Sequence, residues 1–522
     1  MLTSECNVQN NNLFSRLATH FPRDLSARFA ELTDGRHYSY GDLEQVTARF
    51  AVALRGMGVE PGDRVAVQVE KSIEAFMLYL ATVRAGAVFL PLNTAYTPAE
   101  VEYFVTDAEP ALFVCAPQKA EALRPRADKA GSRLETMGVW RAGMDPADMG
   151  TFFGQVPERA EFRTVERAAD DLATILYTSG TTGRSKGAMT THENLYSNAV
   201  TLAEYWHFSA DDVLLHALPI FHTHGLFTSC NTVLASGSSM IWLPRFDADE
   251  VIRLLPQATS MMGVPTFYTR LLDHPGFTRD LTAHMRLFTS GSAPLLAETH
   301  ERFSERTGHA ILERYGMTET QMNTSNPYDG DRRPGTVGLP LPGVELRIAE
   351  PESGRALAPG EVGMIEVRGP NIFKGYWRMP EKTKEEFRAD GFFITGDLGK
   401  IDGDGYVHIV GRAKDLVISG GYNVYPKEIE EAIDALPGVR ESAVIGVPHP
   451  DFGEAVVAVV IAEPGATLTE EQVVGGLSEQ LARFKQPKRV FFADSLPRNT
   501  MGKVQKKDLR EAHGATFAPA AG

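Results

Sequence analysis

Leu172-Ala-Thr-Ile-Leu-Tyr-Thr178-Ser179-Gly180-Thr181-Thr182-Gly183-Arg184-Ser185-Lys186-Gly187 decides how the rest of the chain is read. Its first half, Leu172 to Tyr177, is a short apolar run with the length and composition of a buried strand. The second half lacks apolar side chains and cannot pack as an element. Glycines let a backbone turn sharply and approach a ligand closely. Hydroxyls and exposed N–H groups donate to phosphate oxygens, and Arg184 or Lys186 supplies charge. An ordinary polar loop would explain Gly and Thr alone, whereas hydroxyls, glycines and cations crowded behind a strand favour phosphate binding. The pattern is not a Walker loop, which needs Gly directly before Lys and a hydroxyl directly after it. Here Ser185 precedes Lys186 and Gly187 follows.

A chain of 522 residues holds more than one domain and a sizeable core. Its 43% hydrophobic and 23% charged residues are those of an ordinary globular protein. No run of 18 apolar residues occurs, so no spanning helix and no membrane partner are expected. The N-terminus lacks the basic-then-apolar pattern of a secretion signal. Three widely spaced cysteines, Cys6, Cys115 and Cys230, suit a reducing compartment and exclude a disulfide framework or a clustered thiolate metal site. A cytoplasmic location is expected. The net charge, 52 − 67 = −15, argues against general nucleic-acid binding. Residues 481–510 run against that balance, with Arg483, Lys485, Lys488, Arg489, Arg498, Lys503, Lys506, Lys507 and Arg510 facing Asp494 and Asp508. A solvated basic face is the default reading of such a cluster, and an anionic ligand at that end the second.

Along the chain, residues 1–170 read as alternating helices and strands. Arg64 to Val69 follows the Pro61-Gly62-Asp63 turn as a strand, and Thr97-Pro98-Ala99-Glu100 is a capping box opening a helix through Phe104. Residues 120–170 read as surface connections. After the glycine loop, Val213 to Pro219 is another strand, delivering His222-Thr223-His224 to a sheet edge. Two histidines two apart without a third ligand do not make a zinc site. Satisfied histidines and a ligand pocket weigh equally there, because ligands gather at the carboxyl ends of strands in such sheets. Two further units repeat the strand-then-loop logic, Met285-Arg286 to Ser290-Gly291-Ser292 and Ile311 to Tyr315-Gly316-Met317-Thr318-Glu319; at the second, a strand-to-helix turn is expected. Residues 335–411 read as a small β subdomain. Gly411 to Asp415 is the best domain boundary, and residues beyond it read β-α-β-β-α, with a second capping box at Thr469 to Gln472.

The motifs Tyr177 to Gly187, Tyr315-Gly-Met-Thr-Glu319, Thr395-Gly-Asp397, Gly411-Arg-Ala-Lys414-Asp415 and Pro497 to Lys503 occur in order at the expected spacing. Together they resemble the acyl-CoA synthetases of the adenylate-forming superfamily, from about Ser39 to Leu509. The resemblance implies an α/β fold: a large multi-layer N-terminal domain of α/β sheets plus a small β-barrel-like subdomain, then a small mobile C-terminal α+β domain. Expected boundaries are 1–411 for the large domain, 412–416 for the hinge and 417–522 for the mobile domain.

The implied reaction has two halves. A carboxylate attacks the α-phosphorus of Mg·ATP, and the thiol of coenzyme A then displaces AMP from the acyl-adenylate. ATP, Mg²⁺ and coenzyme A are therefore the expected cofactors and co-substrates. By resemblance, Thr178, Ser179, Gly180, Thr181, Thr182, Gly183 and Lys186 clasp the β,γ-phosphates, and Glu319 holds the metal. Tyr315 and Thr318 flank the nucleotide, Asp397 and Arg412 take the ribose, and Lys503 bridges the α-phosphate and the attacking carboxylate. Lys414 falls at the hinge and Gly420-Gly421 at the thiol channel. Lys503 is also a candidate for regulatory acylation.

The text around Pro219 to Phe227 and Tyr315 to Asn323 resembles the malonyl-CoA synthetases of that family, where the residues matching Thr223 and Met322 border the substrate's C2 substituent. Malonate is the implied acid, with methylmalonate tolerated. A second carboxylate needs a fixed cation, best a bidentate guanidinium. Arg286 is the expected one, assisted by His222 and the Ser290-Gly291 loop. Two alternatives stay open: a ligase for an acyl or aryl monoacid on the same scaffold, and an inactive nucleotide-binding homologue. The joint presence of Lys186, Glu319 and Lys503 counts against the latter.

Overall fold

The computed structural model describes residues 10–139, 149–178, 185–419, 422–478, 480–499 and 502–518. The opening apolar run forms the strand Leu172–Thr178, and Arg64–Gln68 forms the strand expected after the Pro61-Gly62 turn. Both lie in a seven-stranded sheet with Val88–Pro91, Leu112–Cys115 and Arg133–Thr136, all five parallel, while Lys186–Thr191 runs antiparallel beside Leu172–Thr178. A second sheet of nine strands has a parallel centre: Val213–His216, Ser239–Trp242, Ser260–Gly263, Leu287–Ser290 and Leu312–Met317. Parallel strands need both faces covered. The helix Ile73–Arg84 shows what that demands, since all of its residues are buried. Its core joins side chains of both sheets, Val65 and Phe89 from one with Leu214, Met262 and Leu287 from the other.

The small β subdomain is an antiparallel sheet of Glu345–Ala349, Gly363–Arg368, Phe393–Ile401 and Val407–Arg412. From Val417 onward the chain builds its own five-stranded sheet and two cores that draw on no earlier residue. The helix Pro426–Asp434 buries Ile429 and Ile433 there, and the Thr469–Gln472 capping box opens Glu470–Leu477. The fold is thus α/β with a large N-terminal and a smaller C-terminal part.

Two readings need correction. Residues 120–170 are more than surface connections, because the helix Ala120–Lys129 buries Leu123 and Ala127 and leads into the strand Arg133–Thr136. Only that one apolar pair, four residues apart, marks the helix against a polar background. Tyr315-Gly316 does not lead into a helix either. Leu312–Met317 turns back as an antiparallel partner of Gln321–Ser325. A Cβ on Gly316 would stand 1.9 Å from the Gln321 carbonyl oxygen, so only glycine lets the two strands close this tightly. Among the described residues no helix is long and apolar enough to cross a membrane.

Candidate active site

Thr178, Ser290 and Tyr315 lie towards the carboxyl ends of the strands Leu172–Thr178, Leu287–Ser290 and Leu312–Met317. Thr178 stands opposite Lys186 in its ladder, and its Oγ1 donates to the Lys186 carbonyl at 3.4 Å. Ser179, Gly180, Thr181, Thr182 and Gly183 lie outside the described residues, as do Gly420 and Gly421. The Lys186 ammonium donates to Glu386 Oε1 at 2.9 Å and sits 4.0 Å from the centre of the Tyr376 ring. Tyr376 Oη is in turn 2.7 Å from Glu386 Oε2 and 3.1 Å from Glu319 Oε1. A short relay thus ties the phosphate lysine to the carboxylate expected to hold the metal. Burial pushes the Glu319 carboxyl above its usual range, with Tyr376 and Lys186 opposing that rise. Desolvation of this kind is offset by a divalent cation. Among the described residues no three His, Cys, Asp or Glu side chains converge as a metal cage. One carboxylate with substrate phosphates suits Mg²⁺, which keeps waters and seldom uses an all-protein cage. Glu319 therefore fits the ion.

Tyr315 donates to Asp397 Oδ2 at 2.6 Å, and Asp397 Oδ1 pairs with Arg412 Nε at 2.7 Å. Asp397 and Arg412 face each other across the antiparallel ladder, so the small β sheet fixes this pair. Thr318 lies in the adjoining turn, partly exposed. Lys503 comes from the far end of the chain on a tight loop closed by Asn499, whose side-chain oxygen accepts from the Lys503 N–H at 3.0 Å. The lysine is water-accessible yet set in a cleft. Desolvation there, then the neighbouring Arg412 cation, pulls its pKa down to about 8, against the pull of Asp397. Lys414 occupies a single 3₁₀ turn, Ala413–Asp415, whose Asp415 is paired with Arg510 of the last helix.

Arg286 is not where the sequence reading put it. It precedes the strand Leu287–Ser290, at the end of the sheet away from Ser290, and is already engaged. Its Nε and Nη2 grip Asp212 Oδ1 and Oδ2 at 2.5 and 2.8 Å, and its Nη1 donates to the Trp206 carbonyl at 2.8 Å. A guanidinium with both prongs on a buried carboxylate has none left for a substrate. A different cation, Arg314, lies on the neighbouring strand Leu312–Met317 and is only 2% exposed. Among the described residues its Nε and Nη2 have no partner, and the same holds for Ser290 Oγ, Thr223 Oγ1 and His224 Nε2. A Cβ on Gly291 would fall 2.5 Å from Arg314 Cζ, so glycine there makes room for the guanidinium. Burial pulls Arg314 down to about 9, which leaves it a cation at neutral pH. His222, expected to assist, is pushed down to about 4 by burial and is therefore neutral. Met322 is buried on the facing strand Gln321–Ser325 beside Gly316.

The AMP-binding enzyme family matches residues 14–377, and the AMP-binding enzyme C-terminal domain matches 428–503. The chain belongs to the AMP-binding enzyme family. A malonate–CoA ligase of Arabidopsis thaliana is 35% identical, the match covering 97% of this chain and 91% of that protein. Among solved structures, ATP-bound MatB from Rhodopseudomonas palustris is 60% identical over 97% of this chain and 100% of its own, with a TM-score of 0.94. The apo form of that MatB, with the same identity and coverage, has a TM-score of 0.84.

Three side chains of this AMP-binding enzyme escaped the sequence reading: Arg314, Tyr376 and Glu386. The first carried a signal, two charges in the otherwise apolar run Ile311-Leu-Glu313-Arg314-Tyr. Tyr376 and Glu386 carried none, because their neighbourhood reads as an ordinary turn and helix.

Two outcomes follow from this geometry. Arg286→Met leaves Asp212 buried without its cation, and should lower the unfolding free energy by roughly 3–5 kcal/mol in urea titrations without changing acid preference. A selective loss of one acid would return Arg286 to the pocket. Tyr376→Phe keeps the ring beneath Lys186 and removes both carboxylate contacts. It should raise the apparent KM for Mg·ATP about tenfold, the weight of one charge-assisted hydrogen bond, while binding of the acid stays unchanged by calorimetry.

Proposed function

We propose that the protein ligates malonate to coenzyme A at the expense of ATP, giving malonyl-CoA, AMP and pyrophosphate. The observation that carries the acid is Arg314. A buried guanidinium without a counter-ion is costly, and an anion entering the pocket relieves that cost. Ser290 Oγ, Thr223 Oγ1 and His224 Nε2 are similarly unpartnered among the described residues, so a carboxylate would meet several groups seeking a hydrogen bond. Malonate has a second carboxylate one methylene from the first, the span needed to anchor one while the other reacts. A fatty or aryl monoacid would leave Arg314 desolvated and unpaired, a loss that polar pockets turn into strong discrimination. Thr223 and Met322 would border C2. One added methyl there is discriminated by only ~1–3 kcal/mol, so methylmalonate should also react.

In the first half-reaction a carboxylate oxygen attacks the α-phosphorus and pyrophosphate leaves. Negative charge spreads over the α-phosphate oxygens, where fixed cations lower the barrier. Lys503 would sit between that phosphate and the acid. Thr178 to Lys186 would hold the leaving phosphates, Tyr315 and Thr318 the base, and Asp397 with Arg412 the ribose. Glu319 would hold Mg²⁺, which supplies charge neutralisation to the polyphosphate when bound. In the second half the thiol sulfur attacks the acyl carbon and AMP leaves. Residues 412–416 would then act as the pivot between domains 1–411 and 417–522, with Lys414 at its centre, withdrawing Lys503 and bringing Gly420-Gly421 towards the thiol. The higher TM-score with ATP-bound than with apo MatB supports reading the present arrangement as that of the first half-reaction.

Acid- and CoA-dependent AMP release should be fastest with malonate, slower with methylmalonate, and weak with acetate, octanoate and benzoate. Arg314→Met should remove the malonate preference by at least a hundredfold in kcat/KM. If a monoacid leads in the native enzyme, the dicarboxylate assignment is wrong.

Lys503 must be protonated to bridge two anions. Since its pKa is lowered to about 8, the cation is present below that value and lost above it. The kcat/KM of adenylate formation should therefore fall as pH rises through about 8, because that ratio reports the free enzyme. Lys503→Ala should cripple adenylate formation and spare thioester formation from supplied malonyl-AMP. Equal loss in both halves would sink this role.

A further inference from the structure

Lys503 reaches its place from a distant part of the chain, and the loop that carries it is braced on its own side. Arg498 and Val504 face each other across an antiparallel bridge. The Asn499 N–H donates to the Lys503 carbonyl at 3.0 Å, and the Gly502 N–H donates to the Asn499 carbonyl at 2.9 Å. Arg498 Nη1 donates to the Gly502 carbonyl at 2.6 Å, and its Nη2 pairs with Glu441 of the strand Val439–His449. A loop held this way moves as one piece with its own sheet.

These bonds tie the loop only to residues beyond Val417. They leave open where the ammonium stands relative to Tyr315, Asp397 and Arg412, which belong to the earlier part of the chain. An ammonium on a flexible four-carbon stem is placed only as well as its backbone.

Gly502 bridges that gap. Its φ is +76°, in the left-handed region that favours glycine. A Cβ there would stand 3.1 Å from Thr266 Cγ2 and 3.2 Å from Thr266 Oγ1. Thr266 thus occupies the space of the missing side chain. Glycine answers two demands at once here, the turn of the loop and the close approach of another element.

Thr266 is the second residue of the helix Pro265–Asp273, which follows the strand Ser260–Gly263, and it is partly exposed. In that strand Gly263 pairs in register with Ser290 of the proposed acid pocket. Thr266 therefore lies beyond the same strand ends as Ser290. Lys503, next in the chain to Gly502, also feels the charges of Arg412 and Asp397. Contact with Thr266 on one side and the Asp397–Arg412 pair on the other set the lysine between acid and ribose groups, where the α-phosphate would meet the carboxylate.

We propose that Thr266 is the seat of the Lys503 loop: Gly502 rests on it while the adenylate forms and leaves it before the thiol reacts. This rests on the ligase function assigned above. Thr266 is a positioning residue, acting on Lys503 through the backbone of Gly502. It serves the first half-reaction alone, because a lysine withdrawn from the phosphate has no use for the seat.

The test uses the full-length enzyme. ATP–pyrophosphate exchange with malonate, without coenzyme A, reports the first half. Thioester formation from supplied malonyl-AMP and coenzyme A reports the second. Thr266→Leu extends the side chain into the space that Gly502 now borders and should push the loop away. A displacement of about 1 Å costs about a hundredfold, so exchange should fall by that factor. Thioester formation should stay within about threefold of native, which also shows that the variant has folded. The loss should appear in the maximal exchange rate, with affinities for Mg·ATP and malonate unchanged by calorimetry. Thr266→Ser keeps a small side chain and should retain both halves.

A second variant reports the contact itself. A Cβ at Gly502 would lie 3.8 Å from Thr266 Cβ, within the range that a disulfide requires. Enzyme carrying both Thr266→Cys and Gly502→Cys is loaded with Mg·ATP and malonate and then oxidised. It should hold its malonyl-AMP and, with coenzyme A added, yield malonyl-CoA only once a reductant is present. Native enzyme treated alike controls for Cys6, Cys115 and Cys230.

Native exchange in Thr266→Leu would overturn the proposal, as would equal loss in both halves. So would a cysteine pair that fails to oxidise, or one that oxidises and still forms thioester at the rate of its reduced form. Absence of exchange with malonate in the native enzyme would instead overturn the ligase reading, while oxidation of the pair would still report whether Gly502 meets Thr266.

Discussion

A guanidinium buried in a sheet without a counter-ion constrains everything around it. Arg314 sits on a central strand, 2% exposed, with two of its nitrogens unbonded among the described residues. Such a group persists only where neighbouring structure over-determines it. Parallel pairing with Leu287–Ser290 on one side and antiparallel pairing with Gln321–Ser325 on the other hold the strand from both edges. Gly291 leaves the space the side chain needs, and Gly316 lets the strand fold back a few residues later. The sheet stores an unmet electrostatic demand that an entering anion would satisfy.

The two large sheets explain why such demands converge. Parallel strands present their carboxyl ends together, and ligands bind beyond those ends. Thr178, His216, Ser290 and Met317 all close strands of this kind. Helix Ile73–Arg84, buried along its whole length, locks one sheet on the other. On the proposed function, groups for phosphate and acid can therefore come from different sheets. Lys503 comes from the part of the chain whose two cores draw on no residue before Val417, so on the proposed function it could be added to or withdrawn from the site without disturbing either sheet.

Much of this was legible in the sequence, for a physical reason. Strands end where apolar runs give way to proline, glycine or hydroxyls, so Leu172–Thr178 and Val213–His216 could be read directly. Capping boxes name their own partners, and those at Thr97 and Thr469 formed as written. Charge partners were not legible. Arg286 and Arg314 are both arginines at the margins of apolar runs, and the sequence has no term for Asp212, which engages the first from a different strand connection. Nor does it reveal the Tyr376–Glu386 relay, which depends on the strand Gly375–Tyr376 pairing with Lys186–Thr191. The eight-residue π-helix His224–Asn231 likewise has no signature in composition, although it is what turns the Gly225 carbonyl towards His216.

The cations of the site differ in how they wait. Arg412 is paired with Asp397, and Lys186 with Glu386, so neither carries an uncompensated charge before the nucleotide binds. For Lys186 to turn to a phosphate it must leave Glu386. That carboxylate is not then stranded, since Lys382, one helical turn before it, lies 3.2 Å from the same Oε1 and Tyr376 Oη still faces its other oxygen. The exchange is close to balanced. It spends little of the binding energy of ATP on the ground state, which matters because only contacts stronger in the transition state raise the rate. Arg314 is the opposite case, unpaired among the described residues, so on the proposed function its gain would fall on recognition of the acid. On the proposed function, pre-paired cations would serve the nucleotide that must be turned over and an unpaired one the acid that must be chosen, which divides catalysis from specificity.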